Sequence, residues 1–180
     1  MRTRSLVELA GLLMVALVAS SCGYALAGRG NTLPAYIRTI GVPQFVNQST
    51  SGGIDGTLTD AVRAEWQSRG RYQVQPDANG VDAIMNGTIL SVVLQPVAFS
   101  EQGQVVRYQI VVTASIEFRE VKENKLLWSN PSFQSRDEYP VTTGNSPTDV
   151  NALLRADANA TERLARNFAR TVITTVLEAF

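Results

Sequence analysis

The sequence predicts an α+β fold, a two-layer sandwich of order β-α-β-β-β-α with two helices packed on one face of a mainly antiparallel four-stranded sheet. Three observations carry that expectation. From Val105 to Glu120, apolar and polar residues alternate with a period of two. Around Ile54 to Trp66, and again along the C-terminal segment, apolar residues recur at helical spacing. The chain has 180 residues, which suits one core better than two.

The N-terminus reads as an address. Arg2 and Arg4 precede an apolar run from Leu9 to Ala19, and the small residues Ala19, Ser20 and Ser21 lead into Cys22. That run is too short to span a bilayer, which needs ~20 apolar residues. Residues 1–21 are therefore expected to be a signal peptide of the lipoprotein type, 22–36 a lipidated N-terminus and tether, and 37–180 a single α/β domain. Cys22 is the sole cysteine, so its thiol is the predicted lipidation site and no internal disulfide is available. The segment resembles a lipobox, although Ala19 stands where leucine is usual. Gly23 replaces the aspartate that retains many lipoproteins at the inner membrane, which implies the periplasmic side of the outer membrane.

The domain is expected to open with a strand over Ile37–Phe45, ended by Pro43 and the polar stretch Asn47–Gly53. Ile54, Leu58, Ala61, Val62 and Trp66 then trace a helix face, with Gly70 where a helix C-terminus favours glycine. Val81–Val97 is rich in β-formers. Asn86-Gly87 within it is a hairpin signal, but a turn there would leave a five-residue arm with little to pair against, so one continuous strand is preferred. In the third strand, Val106, Tyr108, Ile110, Val112, Ala114, Ile116 and Phe118 form the expected core face. At ~3.3 Å per residue so long a strand should twist strongly or carry a bulge. Lys125–Tyr139 forms the fourth strand, bulged at Asn130-Pro131 because proline cannot donate to a central ladder. Ser146-Pro147-Thr148-Asp149 has the form of a helix start, followed by one helix of ~30 residues running to the C-terminus.

Composition excludes several functions. With no histidine, Ser-His-Asp and Cys-His catalysis are ruled out and the commonest zinc ligand is missing. Removing Arg2, Arg4 and Glu8 from 16 basic and 16 acidic residues leaves 14 and 15, a net charge of −1, so nucleic acid is not an expected partner. No cofactor and no metal is expected. Gly28-Arg29-Gly30 echoes a dinucleotide loop, but it lacks a preceding strand and a following helix. Asp55, Asp60 and Glu65 raise a carboxylate-dependent hydrolase, yet Asp60 and Glu65 lie ~500° apart around a helix and make no obvious facing pair.

The residues resemble the LptE family of lipopolysaccharide-assembly outer-membrane lipoproteins over essentially the whole mature chain. The resemblance rests on Cys22-Gly23-Tyr24, LPAYIRTIGVPQFVNQS, LTDAVRAEWQSRGRYQV, VDAIMNGTI, GQVVRYQIVVTASIEF, LLWSN and a long terminal helix, in that order. It implies a non-enzymatic lipoprotein that sits in the lumen of a β-barrel partner, LptD, assists its assembly and binds lipopolysaccharide in transit. Such relatives contact lipopolysaccharide through basic side chains before the third strand and before the last helix. Here Ser100–Gly103 and Thr142–Pro147 hold no lysine or arginine, which leaves Arg107 and Arg136 as the nearest candidates for ligand binding. Gln109, Val111, Thr113, Ser115 and Glu117, on the expected uncovered face of the third strand, are the candidate partner-facing residues. The alternative from another class is a lipoprotein accessory factor of a different envelope complex, a peptidoglycan synthase activator or a transport auxiliary.

Overall fold

The computed structural model describes residues 33–141 and 149–180. Among them the elements run β1 (Thr39–Gly41), β2 (Val46–Asn47), α1 (Ile54–Ser68), β3 (Gln73–Gln75), β4 (Ala83–Phe99), β5 (Val105–Glu120), β6 (Leu126–Pro140), α2 (Val150–Ala156) and α3 (Ala158–Glu178). The fold is mixed α+β as predicted, but its sheet has six strands instead of four. The order is β3-β1-β4-β5-β6, with β2 also paired to β4.

The surplus strands are short. In place of one strand over 37–45 there are two short pieces, β1 within that range and β2 just past its predicted end, with Pro43, which has no N–H to give a ladder, in the gap between them. Both pieces pair parallel to β4, Ile40 with Ala83 and Val46 with Thr88. β3, which the sequence reading omitted, pairs parallel to β1 from Thr39–Gln73 to Gly41–Gln75. The rest of the sheet is the expected antiparallel meander, whose strands β4, β5 and β6 have 17, 16 and 15 residues.

Asn86-Gly87 lies inside β4, so the continuous-strand reading holds. Glycine serves there by close approach and not by turning. A Cβ at residue 87 would stand 2.7 Å from Cγ, Cδ2 and Cε2 of the buried Phe45 ring. The long strands relieve their length by bulges. Leu90 and Val97 are extra residues in β4 against β5, and Pro131 and Ser132 together stand opposite Ser115.

α1 buries Ile54, Leu58, Thr59, Val62 and Trp66, and ends before Gly70, which holds the left-handed φ of +67° that a side chain would oppose. The single terminal helix is corrected to two. Asp157 ends α2 by donating its N–H to Leu153 O at 3.1 Å, and its extended backbone lets Oδ1 accept from Ala160 N–H at 3.1 Å, capping α3. Asp149 caps α2 by accepting from Ala152 N–H at 2.7 Å, whereas the predicted start at Ser146-Pro147 falls outside the described residues.

α1 and α3 pack together on one face of the meander. Trp66 anchors this layer, stacked on Phe118 at 5.7 Å, edge-on to Tyr72 at 5.3 Å and donating its Nε1–H to Met85 Sδ at 3.5 Å. Phe133 of β6 meets Phe168 of α3 edge-on at 5.7 Å. Ile110, Val112, Ala114, Ile116 and Phe118 are buried beneath the helices, as the alternation requires. The hairpin then runs past this core, and Val106, expected on the core face, is exposed beside the exposed Val97 and Phe99. Ala158 and Ala179, at the two ends of α3, are also exposed, and its buried face is made by Ala160, Leu164, Ala165, Phe168, Ala169, Val172, Ile173, Val176 and Leu177.

Candidate partner surface

With both large helices on one side, the other side of the meander is open to solvent, and its chemistry can be read row by row from the register. Thr113 has Ser91 on one side and Gln134 on the other. Gln109 lies between Gln95 and Glu138, Val111 between Val93 and Arg136, and Glu117 between Asn86 and Ser129. Ser115 is beside Thr88 on β4 and faces the bulge on β6. The center of this face is thus a block of hydroxyls and amides interrupted by the row of the exposed Val93 and the buried Val111, with its charges toward the ends and the β6 edge.

All five predicted partner-facing residues share this face, but they are not equally open. Glu117 is exposed, while Gln109, Thr113 and Ser115 are half-buried by the strands on either side. Val111 corrects the expectation of an uncovered row, being only 9% exposed between Val93 and Arg136. Arg136, three methylenes of stem beneath a charged head, suits that position because it can lie over a valine while its guanidinium stays in water.

Both candidate ligand arginines come to the same end of this face. Arg107 Nη1 pairs with Glu138 Oε2 at 3.1 Å, and Arg136 Nη2 donates to Gln134 Oε1 at 2.6 Å. Since both members of the Arg107 pair are about half exposed, water screens it and its contribution to stability is small. Glu117 pairs with Arg119 at 3.6 Å. The sequence reading missed Glu138, Gln134 and the β4 row of Thr88, Ser91 and Gln95. The β4 row hides because the bulge at Leu90 reverses the alternation: Met85 and Ile89 face the core before it, Val92 after it.

On the β6 edge, the buried Tyr139 is held by its hydroxyl near Asp137 Oδ2 and Ala160 O, at 2.9 and 2.8 Å, while the Arg163 guanidinium lies 4.9 Å over its ring. Burial, reinforced by the Asp137 carboxylate, raises the phenol far above its usual range. The three carboxylates considered for hydrolysis do other work: Asp60 pairs with Arg63 at 3.0 Å, Glu65 with Arg69 at 2.7 Å, and Asp55 accepts from Gln44 and Asn47. The Gln44 amide is the main reason the Asp55 carboxyl sits below its ordinary range. Among the described residues there is no group of three or more acidic or cysteine side chains that could hold a metal, and no helix long and apolar enough to cross a membrane. Cys22 lies outside the described residues.

The fold and its surface define a small α+β domain with one sheet face sealed by helices and the other open to solvent. The chain belongs to the LptE family of lipopolysaccharide-assembly proteins, whose sequence model matches residues 37–176. No curated protein matches the sequence. In fold the chain is similar to a protein of Xanthomonas campestris, at 13% identity and a TM-score of 0.53, over 81% of this chain and 87% of that one. It is also similar to lipoprotein B of Nitrosomonas europaea, at 18% identity and a TM-score of 0.46, over 86% and 88% of the two chains. The rare lipoprotein B of Shewanella oneidensis matches at 12% identity and a TM-score of 0.42, over 74% and 95%.

Proposed function

We propose that this protein is an outer-membrane lipoprotein, anchored by acyl chains on Cys22, whose open sheet face docks against the wall of an LptD-like β-barrel during lipopolysaccharide assembly. Family membership supports the pathway. The observation that carries the docking surface is the central block of Thr88, Ser91, Thr113, Ser115 and Gln134, hydroxyls and an amide on three adjacent strands. Barrel lumens are polar, and hydrogen-bonding side chains there can match such a face without desolvating bare charge. Arg107 and Arg136, at one end of the face, are placed to meet an anionic group of the lipopolysaccharide.

The test is Thr113→Lys combined with Ser115→Lys. Both side chains point away from the helices, so each lysine can extend into water in the free domain, and the Tm should stay within a few degrees of wild type. In the complex the two ammonium groups would be desolvated or would draw water into the contact, at a cost of a few kcal/mol. Recovery of the barrel in mild-detergent pull-downs should fall, and cells should become sensitive to large hydrophobic antibiotics. Wild-type recovery of the barrel by a folded double variant would place the docking surface elsewhere.

A further inference from the structure

A second polar site lies at the opposite end of the sheet from the hairpin tip. β1 and β3 are parallel and begin side by side, and their pairing extends one residue back through Gln73 N–H donating to Arg38 O at 2.8 Å. Arg38 and Arg71, at the starts of these two strands, therefore line one cleft of about 540 Å³, whose walls include Leu33, Pro34 and Tyr72. We propose that this cleft binds a phosphate group, that of a membrane lipid headgroup.

Four features support the assignment. Both arginines are exposed, and neither forms an ion pair among the described residues. Residues 1–32 and 142–148 add a single acid, Glu8. The nearby acid, Asp82, is already engaged: its Oδ2 accepts from Arg38 N–H, Thr39 N–H and Thr39 Oγ1–H, each at 2.8 Å. These bonds fix the Arg38 backbone while leaving its guanidinium without a direct partner, and two planar guanidinium forks suit the oxygens of one phosphate.

The cleft also has a donor and an apolar side. The Tyr72 hydroxyl accepts from Leu33 N–H at 3.2 Å, so its own proton is available to a ligand oxygen. Leu33, Pro34 and Ala35 supply a wall suited to the glycerol of a headgroup more than to a bare ion. The membrane source follows from chain order. Leu33 is where the tether enters the fold, and from Cys22 at position 22 to position 33 an extended chain reaches only about 35–40 Å. That source rests on the anchor reading, whereas the phosphate site does not.

The test uses the full lipidated chain in uncharged detergent micelles and follows the arginine Nε–H resonances. Phosphatidylglycerol, inorganic phosphate and sodium chloride at matched ionic strength are titrated separately. Phosphatidylglycerol should shift the Arg38 and Arg71 signals saturably. Arg38→Gln with Arg71→Gln should lower that affinity at least tenfold without changing Tm, while Arg166→Gln on α3 binds as wild type. Equal saturation by inorganic phosphate would keep the site and overturn its lipid source. Shifts reproduced by sodium chloride, or undiminished affinity in the folded double variant, would overturn the site itself and leave the family role untouched.

Discussion

Replacing Gly87 by alanine sets two general tendencies against each other. Glycine within a strand costs roughly 0.5–1 kcal/mol relative to alanine, so on backbone entropy alone Gly87→Ala should stabilize the protein. The structure predicts the reverse. The new Cβ would lie 2.7 Å from three ring carbons of Phe45, where ordinary contact begins at 3.4 Å. The ring would have to withdraw by about 0.7 Å, yet Phe45 is 2% exposed and its N–H is held by Thr59 Oγ1 at 3.0 Å. Overpacking of this kind costs about 1–3 kcal/mol, and three close contacts with one held ring put this case in the upper half of that range; less the backbone gain, the net loss should be about 1–2 kcal/mol and the Tm should fall by about 3–6 °C. Urea unfolding followed through Trp66 and Trp128 fluorescence measures it. In a Phe45→Leu background the same alanine should cost nothing or stabilize slightly, a coupling of about 1–3 kcal/mol in the double-mutant cycle. A Gly87→Ala protein as stable as wild type, or a cost that persists after Phe45→Leu, would refute the packing argument.

Substitutions at Asp82 and Cys22 probe the entry to β4 and the proposed lipid anchor. The Asp82 carboxyl is held below its usual range chiefly by the Arg38 N–H, so it adds stability above about pH 4 that is lost as pH falls through the lowered value. Asp82→Ala should cost about 2–3 kcal/mol at pH 7, whereas Asp82→Asn should flatten the acid limb of the stability profile; parallel loss in wild type and the asparagine variant between pH 5 and pH 2 would sink the linkage. Cys22→Ser should abolish incorporation of radiolabelled palmitate and leave the precursor unprocessed by the lipoprotein pathway, and normal labelling of that variant would rule the anchor out.

What could be read from the sequence depended on how far each element's pattern is set locally. β5 was legible because the extra residues that shift its register between Ile110 and Phe118 sit on β4 and β6, so its own alternation keeps one phase and each inward residue is buried. Residues 46–47 and 73–75 are too short to show any period; they are strands because β4 and β1 offer them hydrogen bonds. Asp157 was hidden within an apolar repeat that continues in register from Leu154 to Ala165, and only its backbone reveals that it turns the chain as it caps α3. The candidate surface was half legible. Its β5 row followed from alternation, but the rows on β4 and β6, and the pairing of Arg107 with Glu138, depend on which strands become neighbors.

The bulge at Leu90 bears on how this strand can vary. On its N-terminal side Met85 and Ile89 point inward, and on its C-terminal side Val92 does, so the bulge absorbs the one residue by which their spacing departs from regular alternation. Deleting Leu90 would remove the bulge and leave Ile89, Ser91 and Val92 in regular alternation opposite Ala114, Thr113 and Val112, with the same residues facing the core. The number of residues from Met85 to Val92 can therefore change by the one that the bulge holds without turning either half of β4 over. Related chains that retain this sheet should show one-residue differences in the length of β4 at the position of Leu90, with the inward residues on both sides of it unchanged in phase.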